Sequence, residues 1–435
     1  MVRNRRCDED IELAMARLLV TTTPLTGHVQ PMLPIASELV ARGHELVWIT
    51  GAKFAQSVRA TGAEFVAMSD DWDDADLERA FPALAGVRGF KRVKLQLRKM
   101  FIEPMATQLA DLEARTRPDA VLSDSAHLGA GLFAEKHHLP WIELGISALM
   151  WPSRDTNPFG SGQPPERGGR GVHRFLNWLI FRVLFGSVNR AYRRARVEAG
   201  MPAGDRMYFE VMSRELILQP TVAELEYPRS DLPRQVVFIG PLLPPAGTAP
   251  LPAWWAEVEA AHVADRPIIL VTQGTLATDP SELVEPALEA LADHDVLVIV
   301  TLDRAVAVPT NARIAAYVPY QALLPYCRMM ITNGGYGGVQ MAIAHGVPLI
   351  IAGGSEEKPE IAARVAWSGA AIDLRTGRPK PHKLRKAVDR MLAEPAFRER
   401  AQAIQRVMAE CDAPRRAAEL VATLIPETER QAHAS

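Results

Sequence analysis

The sequence predicts an α/β protein of two doubly wound, Rossmann-like domains facing across a crevice. Three observations carry that expectation. The first half alternates short apolar runs with helical patterns, the signature of βα units around a parallel sheet. In the second half, three apolar runs each open into a polar turn bearing glycine: Ile268–Val271 into Thr272–Gln273–Gly274–Thr275, Met329–Ile331 into Thr332–Gly338, and Pro348–Ala352 into Gly353–Lys358. Between the halves, Pro228, Pro233, Pro241, Pro244, Pro245 and Pro250 crowd a stretch without helical period. A chain of 435 residues is long enough for two domains that each bury a core.

Residues 1–14 mix Arg3, Arg5 and Arg6 with Asp8, Glu9, Asp10 and Glu12. Acids stand where a secretory signal needs an apolar stretch, so this segment reads as a disordered extension, such as an upstream start codon adds. The N-terminal domain is assigned to 15–227. In it Leu18–Thr22 read as a strand, Pro31–Arg42 as a helix closed by Gly43, and Glu45–Thr50 as the next strand. Ala120–Asp124, Leu128–Lys136 and Trp141–Leu144 repeat the unit. Asp155–Gly171, rich in Gly, Pro, Ser and Arg, reads as a mobile loop. Phe175–Arg196 reads as an amphipathic helix pair, either core or the wall of a ligand pocket. The linker is assigned to 228–251 and the second domain to 252–409, with helical patterns from Val339 and from Pro359 to Ser368. A last helix, Pro414–Ile425, falls in 410–435.

Composition narrows the function. A formal net charge of −2 gives no reason to expect nucleic acid as a partner. Cys7, Cys327 and Cys411 are scattered without CxxC or Cys/His spacing, which argues against a disulfide framework or a zinc site and fits a reducing cytoplasm. No apolar run reaches the roughly 18–20 residues that cross a bilayer. The longest candidate, Phe175–Val188, is broken by Asn177 and Arg182.

The chemistry gathers at predicted strand ends. Gly334, Gly335, Gly337 and Gly338 lie between a strand and a helix, where the backbone approaches a ligand closely and unpaired amides favour an anion. A diphosphate fits that turn, although a glycine turn that only packs has the same composition. His28, in the turn before the Pro31 helix, reads as a general base for a hydroxyl or as a capping, solvent-facing residue. Asp124 ends a strand at the same sheet edge, and a helix cap near Leu128 is its alternative. Asp119 precedes that strand and belongs at the opposite edge. Asp71–Trp72–Asp73 has the spacing of a metal-binding DxD, but it sits in the acidic run Asp70–Glu78 and reads as a solvated loop. Thr275 offers a hydroxyl to a phosphate or simply completes a turn.

The segment Thr332–Asn333–Gly334–Gly335–Tyr336–Gly337–Gly338, the following Gly346–Val347–Pro348, Tyr317–Val318–Pro319, and Gly27–His28–Val29–Gln30–Pro31 resemble the motifs of the GT-B-fold nucleotide-sugar glycosyltransferases that include the plant, macrolide and glucuronosyl enzymes. The resemblance extends from about Arg17 to the C-terminus. It implies the GT-B fold, a last helix that returns to brace the first domain, and a donor site in the second. His28 then takes the place of the catalytic base and Asp124 that of the acid that orients it. Tyr317 takes the place of the aromatic beside the nucleotide base, with the Val318 backbone reading the base edge, a core tyrosine at the strand end being its alternative, and Gly274 and Thr275 lie near the phosphates.

Several donor positions depart from the family pattern. Asn333 replaces a phosphate-contacting His, Gly338 a Ser, and Met341 the Glu that holds ribose hydroxyls, with Gln340 beside it as a substitute. Glu357–Lys358 replace a sugar-reading Asp-Gln pair. Lys358 either favours an acidic sugar or pairs with Glu356 or Glu360. The resemblance therefore implies an inverting, cytoplasmic glycosyltransferase with an altered donor preference. It would need neither metal nor other cofactor, would use a UDP- or dTDP-hexose, and would modify a lipophilic small molecule, leaving room for peripheral membrane contact. A sugar-nucleotide hydrolase or epimerase, and a non-catalytic nucleotide-sugar binder, are the alternatives.

Overall fold

The computed structural model describes residues 15–74, 77–115, 117–244, 250–274, 279–354 and 356–425. The expected N-terminal extension and Thr275 lie outside these residues. Two parallel sheets form the frame. The first contains β1 (Arg17–Thr21), β2 (Glu45–Thr50), β3 (Glu64–Ala67), β4 (Ala120–Asp124), β5 (Trp141–Leu144), β6 (Leu216–Gln219) and β7 (Val236–Phe238), in the order β3-β2-β1-β4-β5-β6-β7. The second contains β8 (Ile268–Thr272), β9 (Leu297–Thr301), β10 (Ala312–Ala315), β11 (Cys327–Thr332), β12 (Leu349–Ile351) and β13 (Ala371–Asp373), in the order β10-β9-β8-β11-β12-β13. Every residue of β4 and β8 is buried, because helices cover both faces of a parallel sheet and leave no solvated side.

In each sheet the winding reverses once, between β1 and β4 and again between β8 and β11. Loops diverge to opposite faces at such a switch point, and a crevice opens beyond the strands' carboxyl ends. Thr21 of β1 lies level with Ser123 of β4, and Thr272 of β8 level with Thr332 of β11. Most candidate motifs follow these four strand ends; Gly353–Lys358 follows β12 and Tyr317 follows β10.

Several elements differ from their sequence reading. The helix α1 spans Thr26–Ala41, so it begins before Pro31 and carries Pro31 and Pro34 in its interior. Leu25 supplies no side-chain cap; instead the Thr26 N–H donates to Asp74, 48 residues away, at 2.7 Å. A carboxylate at a helix N-terminus meets unpaired amides and the positive end of the dipole, whatever its distance in sequence. The acidic run is therefore not merely solvated: Asp74 is buried and also pairs with Lys53.

The Asp155–Gly171 loop is held in place. Asn157 Nδ2 donates to the Pro164 and Arg167 carbonyls, and Asn177 Nδ2 donates to the Ser153, Thr156 and His173 carbonyls. The stretch read as linker contributes β7, the edge strand of the first sheet, where Gln219 of β6 lies level with Phe238. Phe175–Arg196 divides between its two readings: Phe181, Phe185, Val188 and Tyr192 join the core, while Phe175, Trp178, Val183 and Leu184 are exposed. The 3.6-residue period marks two faces but does not say which one finds a partner. Finally, the helix Ala413–Ala422 packs Ala413, Ala417, Ala418 and Val421 into the first domain's core with Val29, Met32 and Ile35 of α1.

Candidate active site

His28 occupies the third position of α1, inside its first turn rather than ahead of it. The backbone N–H groups of His28 and Val29 both donate to the Leu25 carbonyl, at 2.9 and 3.0 Å. The His28 side chain, 11% exposed, places Nδ1 3.1 Å from Asp124 Oδ1. Asp124 is fully buried and accepts further bonds from Thr23 N–H at 2.6 Å, Thr23 Oγ1 at 3.3 Å and Ala126 N–H at 2.7 Å. Burial alone would raise its pKa. The electrostatic attraction and hydrogen bond of His28, the nearby His127 and the Thr23 amide outweigh that and hold it below the usual carboxylate value. An ionised carboxylate only accepts hydrogen bonds, so Nδ1 carries a proton, and in the neutral ring Nε2 keeps a lone pair able to take another. Asp119 instead accepts the Arg17 N–H at the opposite end of the sheet.

Two residues escaped the sequence reading. Thr23 holds Asp124, and His127 is buried beside it with Nε2 2.8 Å from Thr21 Oγ1. Burial lowers the pKa of His127, with Asp124 opposing, and its Nδ1 has no partner. The signal was present as the polar run Thr21–Thr22–Thr23 closing an apolar strand. Asp71 and Asp73 are engaged elsewhere: Asp71 accepts the Ala52 N–H at 2.8 Å, and Asp73 pairs with Lys53 at 2.9 Å.

Across the crevice, α2 (Tyr336–Ala344) follows β11 with Gly335 as its N-cap. The first-turn amides of Tyr336, Gly337 and Gly338 have no intrahelical acceptor. Gly334 has φ +89°, and a Cβ there would lie 2.8 Å from Ile351 Cγ2, so no other residue fits without displacing the sheet. Around Gly337 a Cβ would meet nothing within 4 Å, which leaves the helix start open to a ligand. Gly274 also has φ +74°, and its α-carbon faces the Asn333 side chain.

Asn333, read from the sequence as a phosphate donor, also makes a bond within the protein. Its Nδ2 donates to the Gln273 carbonyl and ties the β8 and β11 turns together, while Oδ1 is buried without a partner. Gln340 is likewise committed: it is buried, and Nε2 donates to Thr221 Oγ1 of the first domain at 2.8 Å. Helical phase explains the correction, because Gln340 lies one turn beyond Tyr336, whose hydroxyl receives the Gln219 Nε2 at 3.1 Å. Tyr317, beyond the end of edge strand β10, is 59% exposed, which excludes the core alternative and leaves its ring face open, while Val318 is buried.

The third turn leads into α3 (Lys358–Trp367), with Glu357 as its N-cap residue. Gly353 and Gly354 make this turn tight, since a Cβ on Gly354 would stand 2.6 Å from the Gly377 backbone. Lys358 Nζ pairs with Glu356 at 2.6 Å, whereas Glu360 is buried and bound to Arg364. Burial and the neighbouring Glu356 raise the pKa of Glu357, while Lys358 and His28 oppose the rise. The His28 contribution is the one that comes from the first domain.

Two parallel domains with a His–Asp pair on one side and an anion-ready helix start on the other define a nucleotide-sugar glycosyltransferase of the GT-B fold. The chain belongs to the family that includes the macrolide glycosyltransferases and the UDP-glucosyltransferases. It is 41% identical over 424 residues to the 4'-demethylrebeccamycin synthase of Lentzea aerocolonigenes, covering 94% of this chain and 100% of that protein. It is 32% identical to UDP-glycosyltransferase 2 of Phaeomoniella chlamydospora, covering 92% of this chain and 94% of that one. The family described as erythromycin biosynthesis protein CIII-like, C-terminal domain, matches residues 285–425. The fold matches the crystal structure of the glycotransferase of kitacinnamycin with a TM-score of 0.72 at 24% identity, over 95% of this chain and 100% of that one. Among the described residues no helix is long and apolar enough to cross a membrane.

Proposed function

We propose that this glycosyltransferase inverts the anomeric centre, moving a hexose from UDP or dTDP to a hydroxyl of a lipophilic small molecule. The observation that carries the reading is the His28–Asp124 pair, 3.1 Å apart beyond the carboxyl ends of β1 and β4. His28 Nε2 takes the acceptor's hydroxyl proton as the oxygen attacks the anomeric carbon from the side opposite the diphosphate. The bond from that carbon to the diphosphate oxygen breaks, and its electron pair leaves with the phosphate. Asp124 stabilises the imidazolium that forms. The open amides at the start of α2 meet the departing charge, which is why no metal step is invoked. Glu357 holds sugar hydroxyls.

The names of the relatives support a natural-product or other small-molecule acceptor. Exposed Phe175, Trp178, Val183 and Leu184 support a lipophilic one, and peripheral contact with lipid where such acceptors partition. Cys327 and Cys411 are both free, in keeping with a cytoplasmic setting. The test is release of free nucleoside diphosphate with and without a panel of lipophilic alcohols. Acceptor-dependent release supports transfer to a hydroxyl; acceptor-independent turnover indicates a hydrolase or epimerase, and no release indicates a binder.

A further inference from the structure

One cluster outside the reacting groups carries charge into the interior. Glu226, Glu360 and Arg364 are 4%, 1% and 2% exposed, and they join segments from both domains. Arg364, on α3, donates from Nε to Glu226 at 2.8 Å and from one terminal nitrogen to Glu360 at 2.6 Å. The other terminal nitrogen donates to the Leu149 carbonyl at 3.1 Å, and the guanidinium lies 4.6 Å from the centre of the Tyr227 ring. The outer faces of the carboxylates reach the loop after β5. Glu226 accepts the Leu149 N–H at 2.8 Å, and Glu360 accepts the N–H groups of Gly160 and Gly162 at 2.9 and 3.1 Å. Arg229 adds bonds to the Leu149 and Trp151 carbonyls.

We propose that the Glu226–Arg364–Glu360 network positions the two substrates relative to each other, by locking the acceptor-side loop 149–162 onto the helix whose N-cap residue is Glu357. The proposal rests on the transfer reading above and adds residues that touch neither substrate. Its physical basis is the price of burying charge. A buried ion group adds little stability over apolar side chains of equal volume, but it tolerates few geometries, because each carboxylate oxygen and each guanidinium N–H must find its partner. Here the partners are backbone groups of one domain and a helix of the other. The network therefore specifies one arrangement of loop and helix across the crevice. Arg364 alone has the fork to do this, bridging two carboxylates and a carbonyl; lysine is a point charge on a flexible stem. Burial opposes its charge, but the two carboxylates outweigh that and raise its pKa, so the cation persists throughout the working range.

The test compares Arg364→Lys with a triple variant, Glu226→Leu, Glu360→Leu and Arg364→Met. The lysine keeps the charge without the fork, and the apolar triple keeps volume without directional bonds. Three readouts are taken on the full chain: the melting temperature, steady-state kinetics, and amide exchange of residues 149–162. The expected result is faster exchange in 149–162, higher acceptor KM and a kcat lower by about 10–100-fold. Binding of UDP or dTDP, measured by calorimetry, should stay within twofold, and at least the triple variant should melt near wild type. Wild-type kinetics and wild-type exchange in a folded variant would overturn the proposal. Loss of folding in both variants would overturn it too, by showing that the network holds the fold rather than the alignment. If the wild type transfers to no acceptor while exchange in 149–162 still responds, the transfer reading fails and the locking of the loop stands.

Discussion

His28 is proposed to move the proton, so His28→Ala is expected to lower kcat by about 10²–10⁴-fold while donor affinity hardly changes. Asp124→Asn should cost as much or less, because it disturbs the imidazole's tautomer and charge rather than removing the base. Initial rates on a competent acceptor, with calorimetric titration of UDP or dTDP, separate the two effects, and a wild-type kcat for His28→Ala would sink the mechanism. Glu357 and Lys358 divide differently from the pairwise roles their positions suggest. Lys358 is already paired with Glu356 at 2.6 Å, so Lys358→Gln is expected to leave the ratio of kcat/KM for UDP-glucose and UDP-glucuronate unchanged. Glu357→Gln should lower donor kcat/KM by about tenfold, the scale of one hydrogen bond to an ionised group. A changed glucose-to-glucuronate ratio in Lys358→Gln would return the ammonium to the sugar site.

At the scale of elements, β5 carries a carboxyl group that opposes folding as pH rises. Burial pushes the Glu143 pKa from 4.5 up to about 8, against the hydrogen bond from Ser213 N–H and with help from Asp124. The folded protein then binds more protons than the unfolded chain between those two values. Stability accordingly falls as pH rises through that window and levels off above it. Glu143→Gln keeps an acceptor for Ser213 and abolishes the titration. It is expected to raise the melting temperature at about pH 8 and leave it nearly unchanged at about pH 5. An equal shift at both pH values would show that the carboxyl is not the titrating group. The element α1 shows a different dependence, since its start, and with it the position of His28, is set by Asp74 from a separate loop.

For the whole molecule, the open amides at the start of α2 are proposed to meet the diphosphate's charge without an ion. Turnover is expected to survive EDTA; a collapse that Mn²⁺ or Mg²⁺ reverses would make Asp71 and Asp73 candidates for a metal site. The sequence by itself determined the two doubly wound domains and the strand ends at which chemistry gathers. Those signals are local: the helical period, apolar runs buried on both faces, and glycines where a turn needs φ above zero, as at Gly274 and Gly334. It also paired His28 with Asp124, though only through resemblance to a family, since their separation of 96 residues leaves no local trace. The tertiary structure alone decided which polar groups are free. Asn333 and Gln340 stand at donor positions in sequence, yet one amide closes onto the Gln273 carbonyl and the other onto Thr221 of the opposite domain. The same holds for Arg364, a residue of the Pro359–Ser368 helical pattern whose partner Glu226 lies 138 residues away. A side chain's periodicity is encoded near it in the chain, whereas its hydrogen-bond partner is chosen by whatever the packed domains bring within about 3 Å.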